Sequence, residues 1–287
     1  MNGIVPLNKD SGVLSRKAGN AVSFLYGEKK HGHAGTLDPM AGGVLPILLG
    51  RATKLIPFLD DEKVYRAKMR FGIVTDTGDI TGNTQKTSDF RPKLSDFEAV
   101  IPQFLGEITQ IPPIFSALKK DGRPLYDYAR KGQEVEIAPR KAVITSLTLD
   151  DFDGECATLT VGCKTGTYIR TLIEDMADAC GALATMTELC RIKASGISIE
   201  DCRTLSQMEA GDRPVMDVQK LFGHRPACTV DAPGRHYLLN GGTLSPNRFS
   251  GQPQGLFRAY DGKNEFLGLC EETQGEIKLV WMDKIYG

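Results

Sequence analysis

Strand-like and helical stretches are interleaved along this chain without a strict βαβ rhythm, and that irregularity most narrows its fold. Residues 63–67 and 69–74 alternate as strands do, and turn chemistry follows in Thr75-Asp76-Thr77-Gly78-Asp79. Residues 155–163 have the pattern of a half-buried strand. Thr171 then opens a helical stretch to residue 179, with Leu172, Ile173 and Met176 at helical spacing and Gly181 as its stop. A doubly wound parallel sheet would need strand and crossover helix in turn. The pattern instead predicts an α+β, mixed α/β fold, with a mixed sheet flanked by helices.

Residues 107–142, rich in Pro, Lys and Tyr, have the texture of an inserted arm more than of core. The texture changes again after Arg213-Pro214. From about Arg225, strand-like runs at 237–239, 255–260, 265–268 and 277–281 are separated by Gly, Asn and Asp turns. That spacing predicts a small all-β domain. The expected division is residues 1–224, holding the arm, and residues 225–287.

With 287 residues, 41% of them hydrophobic, the chain can build a core for one large domain and one small one. Its longest apolar run, 44–49, is far short of the ~18 residues a membrane span needs. Met1-Asn2-Gly3-Ile4 lacks the basic and apolar regions of a signal peptide. None of the seven cysteines is spaced C-x-x-C and only four histidines could supplement them, which favours reduced, buried thiols over a zinc site. A cytoplasmic monomer without a metal is expected. Net charge is −1, yet residues 1–70 carry eleven Lys/Arg against six Asp/Glu, and 119–141 seven against four. A basic face suits a phosphate backbone, although on counts alone ordinary solvated charge explains these numbers.

Chemistry concentrates in His31-Gly32-His33-Ala34-Gly35-Thr36-Leu37-Asp38-Pro39-Met40-Ala41-Gly42-Gly43-Val44-Leu45. Two histidines, a carboxylate and four glycines with little bulk let another molecule approach the backbone closely. Taken alone, Asp38-Pro39 reads as a helix N-cap with Pro at the first helical position. Phosphate-loop, dinucleotide and nucleophile-elbow fingerprints are missing, and His31 and His33 lack a third nearby metal ligand. Cofactor-free, carboxylate-centred chemistry remains. Two more clusters stand out: Tyr65-Arg66-Ala67 with Thr75-Asp76-Thr77-Gly78-Asp79, and Lys164-Thr165-Gly166-Thr167-Tyr168-Ile169-Arg170-Thr171. Singly, Tyr65 reads as a sheet aromatic, Asp76 and Asp79 as turn residues, and Arg170 as half of a surface ion pair.

Together these clusters resemble the bacterial tRNA pseudouridine synthase B family. The likeness rests on His33-Ala34-Gly35-Thr36-Leu37-Asp38-Pro39, Tyr65-Arg66-Ala67, Thr75-Asp76-Thr77-Gly78-Asp79 and Gly166-Thr167-Tyr168-Ile169-Arg170-Thr171. It extends to Ile111-Pro112-Pro113-Ile114-Phe115-Ser116-Ala117-Leu118-Lys119 and Leu125-Tyr126-Asp127-Tyr128-Ala129-Arg130-Lys131-Gly132 in the arm. Asn2-Gly3, Lys9, Leu189 and Arg191 match as well, so the resemblance spans nearly the whole chain. Two positions depart: Lys9-Asp10 where the family has Lys-Pro, and Cys190 where it has the first of two arginines. The second departure weakens one possible phosphate contact, and neither touches the catalytic constellation.

The resemblance implies a pseudouridine synthase fold: a mixed, largely antiparallel sheet, an RNA-contacting arm and a PUA-like C-terminal domain. It implies a tRNA T-stem-loop substrate, uridine 55 as the isomerised base, and no cofactor. Asp38 is then the essential carboxylate, acting either as nucleophile or as base at C2′. Arg170 pairs with Asp38, keeps it ionised and bridges it to Asp79. Tyr65 stacks on the base and removes its C5 proton. Tyr168 and Leu189 line the base pocket, and His33 fills the place the base vacates. Lys9, Lys119 and Arg130 hold phosphates. A non-catalytic RNA-binding or tRNA-folding protein is the first rival reading, but gives no reason for Asp38, Tyr65 and Arg170 to match together. A glycosidase is the second, and normally needs two carboxyls flanking its bond.

Overall fold

The computed structural model describes residues 2–282. Among them, nine strands join in one mixed sheet. Its path runs Gly3–Lys9, Gly42–Leu49, Ala184–Ala194, Glu62–Phe71, Cys156–Lys164, Arg140–Phe152, Gly106–Gln110. His31–His33 pairs onto Gly42–Leu49, and Ile197–Ser198 onto Ala184–Ala194. Every pairing is antiparallel except that of Gly42–Leu49 with Ala184–Ala194. The mixed, largely antiparallel sheet expected from the sequence is the one that forms.

Side-chain alternation explains the central strands. Along Glu62–Phe71, Tyr65, Ala67, Met69 and Phe71 are buried while Arg66 and Arg70 are exposed. The two runs expected at 63–67 and 69–74 are thus one strand to Phe71, because the alternation passes through Lys68 unbroken. Gly72 then breaks it, and Ile73–Thr75 starts a separate short strand. Gly42–Leu49 is apolar throughout because both its faces are covered. Leu45, Ile47 and Leu49 join one core, and Val44 and Leu48 join another. The helix Ile169–Ala179 buries Leu172, Ile173, Met176 and Ala177 against the first core. Each large apolar side chain so buried contributes about 1.5–3 kcal/mol relative to exposure.

Two local readings need correction. Residues 106–110 and 140–142 are sheet strand rather than arm, so the excursion occupies 111–139. It contains the short ladder of Lys119–Lys120 with Arg123–Pro124 and a helix over Leu125–Ala129. The run at 237–239 ends a helix, Ala232–Leu239, instead of forming a strand. Asp231 caps that helix by accepting from the Gly234 amide, and Pro233 sits in its first turn.

A five-stranded sheet follows, ordered Phe249–Ser250, Ala227–Val230, Leu256–Tyr260, Phe266–Thr273, Glu276–Met282. Val230, Leu238, Phe257 and Ile277 form a core of its own. Tyr260, Phe266, Leu269 and Trp281 belong instead to a layer shared with Ile4, Val44 and Leu48 of the large sheet. The last five residues of the expected 225–287 unit lie outside the described residues.

Candidate active site

The loop between His31–His33 and Gly42–Leu49 carries Asp38. Ser15 anchors it, accepting from the Leu37 amide and donating to the Leu37 carbonyl at 2.9 Å each, while the Leu37 side chain is buried. The Asp38 carbonyl accepts from the Ala41 amide at 3.1 Å. Asp38-Pro39 therefore opens a tight turn and caps no helix, since the chain runs straight on into strand.

Arg170 enters from the first turn of Ile169–Ala179 and is buried. Its Nη2 lies 2.9 Å from Asp38 Oδ2 and also donates to the Phe115 carbonyl at 3.0 Å. Nη1 donates to the Thr77 carbonyl at 2.7 Å. One guanidinium thus ties together the Asp38 loop, the Thr77 turn and the start of the excursion. Burial pushes the Asp38 carboxyl above its usual range, the Arg170 charge opposes that rise, and Asp79 adds to it. Arg170 favours the ionised form, as the pairing implies, but desolvation outweighs it and the net direction is upward.

Asp79 does not touch the guanidinium, whose second edge faces the Thr77 carbonyl. The turn folds this buried carboxylate back onto its own segment, where the Thr77 and Thr81 hydroxyls and the Thr81 amide donate to Oδ1. Its influence on Asp38 is through space.

Asp38, Tyr65, Tyr168, Leu189 and Arg170 line one cleft of about 250 Å³. Tyr65 is buried and its phenol is held above the ordinary tyrosine range by that burial. Tyr168 precedes the helix and is clamped by buried Gln110, which accepts from its amide at 3.0 Å and donates to its carbonyl at 3.2 Å. An exposed polar segment hides such a clamp in the sequence; only the sheet edge formed by Gly106–Gln110 buries it.

Other expected residues lie elsewhere. Lys9 is buried, and its ammonium donates to the carbonyls of Asp10 (2.9 Å), Val13 (2.7 Å) and Pro39 (3.4 Å). Burial pushes it down to about 8, and it supports the Asp38 loop from behind rather than facing a phosphate. His33 is half-buried and lies off the cleft wall. Lys119 and Arg130 are exposed, the Arg130 guanidinium 5.3 Å over the Tyr126 ring. Arg191, matched by motif only, is fully buried and donates to Val44 and Gly35 carbonyls. Among the described residues, no group of three or more His, Cys, Asp or Glu is placed to hold a metal ion, and no helix is long and apolar enough to cross a membrane.

Residues 24–169 match the model of the TruB family pseudouridylate synthase N-terminal domain. The tRNA pseudouridine synthase B of Thiobacillus denitrificans is 39% identical over 96% of this chain and 94% of its own length. That of Methylobacillus flagellatus is 38% identical over 95% and 92%. A chain in the crystal structure of a Cbf5-Nop10-Gar1 complex shares the fold, with a TM-score of 0.71 and 24% identity over 94% of this chain and 78% of that one. With a family model covering half the chain and full-length relatives at this identity, the chain belongs to the TruB family of pseudouridylate synthases.

Proposed function

We propose that this protein isomerises uridine 55 in the T-loop of tRNA to pseudouridine, with the Asp38 carboxylate as the reacting group. The observation that carries the reading is the Asp38–Arg170 ion pair at one wall of a cleft that Tyr65 also lines. The N1–C1′ bond breaks, the base turns, and C5 joins C1′. No net redox change or phosphoryl transfer occurs, so the chain's own side chains suffice. Asp38 either adds to the nucleotide or takes the C2′ proton. Arg170 fixes its direction, Tyr65 stacks on the uracil and accepts the C5 proton, and Tyr168 and Leu189 close the pocket.

The uridine reaches this cleft only by leaving its stack, which costs a few kcal/mol. By family likeness His33 fills the gap left behind. Lys119 and Arg130 of the excursion meet phosphates, which position RNA without reading its sequence. The unit from 225 onward is a PUA-like RNA-binding module, and the enzyme works as a cytoplasmic monomer. Incubation with unmodified tRNA and no added cofactor, followed by chemical mapping of pseudouridine, tests the reading. Product at position 55 alone supports it. An inert enzyme with intact tRNA binding favours the RNA-binding alternative.

A further inference from the structure

Arg191 heads the fully buried side chains by size, and among the described residues no carboxylate lies within ion-pair distance of it. Nε donates to the Val44 carbonyl at 2.7 Å and Nη2 to the Gly35 carbonyl at 2.9 Å. These carbonyls flank Asp38, so the side chain clamps both ends of its loop. Nη1 is buried and has no hydrogen-bond acceptor. A clamp needs donors but no charge, and an uncompensated buried charge is costly.

The sheet register shows what the charge faces. Arg191 and Tyr65 are direct partners across antiparallel strands, so both side chains stand on one face. The guanidinium carbon is 6.0 Å from the centre of the Tyr65 ring. Tyr65 lines the cleft and Arg191 does not. Gly35, which does line the cleft, lies close to Arg191: a Cβ there would be 3.3 Å from Nη1. Its charge therefore acts on the reaction through Tyr65. The other groups around the pair do not help an anion form on the phenol. Burial opposes its ionisation most, Arg191 favours it, and Cys163 and Asp38 oppose it further. Lys9, His33 and Lys63 also feel the Arg191 charge, and each holds its proton less firmly for it.

We infer that Arg191 is a positioning residue that supplies the counter-charge for a Tyr65 phenolate, the form that accepts the C5 proton late in the isomerisation. The inference rests on the proposed function. Tyr65 first yields its proton to water. Once C5 is bonded to C1′, the phenolate oxygen takes the C5 proton and the C5–H electron pair becomes the C5=C6 bond. The C6=N1 π pair moves onto N1, which takes a proton from water, and Tyr65 ends as the neutral phenol. No electron leaves or enters the system.

The test replaces the charge and keeps the clamp. In Arg191→citrulline the urea retains donors for Val44 and Gly35, and its oxygen stands where Nη1 was. Single-turnover rates are measured on tRNA with ordinary and 5-deuterated uridine, across roughly pH 6 to 11, a range that passes the ordinary tyrosine value of ~10. Expected is a rise in the half-maximal pH, with about a tenfold lower rate near neutrality for each unit it moves. The C5 isotope effect should grow while tRNA affinity stays unchanged. Arg191→Lys, which keeps the charge, should retain the wild-type pH profile. An unchanged profile and isotope effect in the citrulline protein would leave Arg191 a clamp only. A loss equal at every pH, or a citrulline protein that circular dichroism shows unfolded, would assign the charge to the fold and overturn the inference. Wild-type protein inert on tRNA would sink the function itself.

Discussion

Arg170 and Arg191 are both buried arginines beside one cleft, 5% and 0% exposed, yet their charges meet different surroundings. Arg170 has Asp38 at 2.9 Å and two backbone carbonyls. Arg191 has two carbonyls and an aromatic ring. On the Asp38 side, positive and negative charge are matched before substrate arrives. On the Tyr65 side the positive charge waits for a negative one that exists only during reaction. Preorganised charge of the second kind is what stabilises a transition state without helping the resting enzyme.

Deleting the matched charge should have the largest effect. Asp38→Asn keeps the side chain's shape but leaves Arg170 as unanswered as Arg191, and it removes the nucleophile or base. Pseudouridine formation should fall below detection while a binding titration with tRNA stays near wild type. Conversion at the wild-type rate would reduce Asp38 to a turn residue.

Arg170→Lys comes next. A planar fork reaches Asp38, Thr77 and Phe115 from two edges, which one ammonium cannot reproduce. Asp38 would shift, and misplacement by about an ångström can lower rate roughly 100-fold. Single-turnover kinetics should show a loss of about that size, whereas Arg191→Lys loses less. Near-equal losses would erase the distinction between the two arginines.

The cations of the excursion should matter less, and differently. Replacing Lys119, Lys120 and Arg130 with Ala should flatten the log–log salt dependence of tRNA binding by up to about one unit per lost phosphate contact. The rate at saturating enzyme should hold. An unchanged slope would take the excursion out of the RNA interface.

Lys9 is a third buried cation, held by carbonyls alone, and its effect falls on stability. Its folded pKa is about 8 against an ordinary 10.5, so the unfolded chain binds the extra proton between these values. Stability should therefore rise with pH through that window, with the full penalty present below it. Denaturant unfolding at about pH 7.5 and 10 should show this gain in wild type relative to Lys9→Met. Parallel behaviour of the two proteins would mean that Lys9 keeps its proton equally well in both states.

Much of this was legible before folding. Period-two burial in Glu62–Phe71 and Cys156–Lys164, and the spacing of Leu172, Ile173 and Met176, are local signals that tertiary packing reinforced. The family motifs placed Asp38, Tyr65, Tyr168, Leu189 and Arg170 together, and one cleft does gather them. What escaped depends on distant closure. Lys9 looks like any basic residue until Pro39 and Val13 fold over its ammonium. Asp79 looks like a partner for Arg170 until Thr77 and Thr81 satisfy it locally. The Ala232–Leu239 helix carried an Asp-Ala-Pro start signal, but a low-contrast sequence of eight residues was masked by the strand-like runs around it.

The apolar layer in which Tyr260, Phe266 and Trp281 cover Ile4, Val44 and Leu48 has a consequence for biosynthesis. The Gly3–Lys9 and Gly42–Leu49 strands leave the ribosome early and can pair at once. Leu55, Ile197, Val218 and Phe222 of the same layer arrive sooner, but the part of the outer face that Tyr260, Phe266 and Trp281 cover stays bare until the chain near Trp281 has emerged. At roughly 5–20 residues per second that wait is about 10–50 s, long enough for a sticky two-stranded intermediate to meet another nascent chain. Slower translation between these segments would lengthen the interval, and the dependence of the protein on holding chaperones should grow with it.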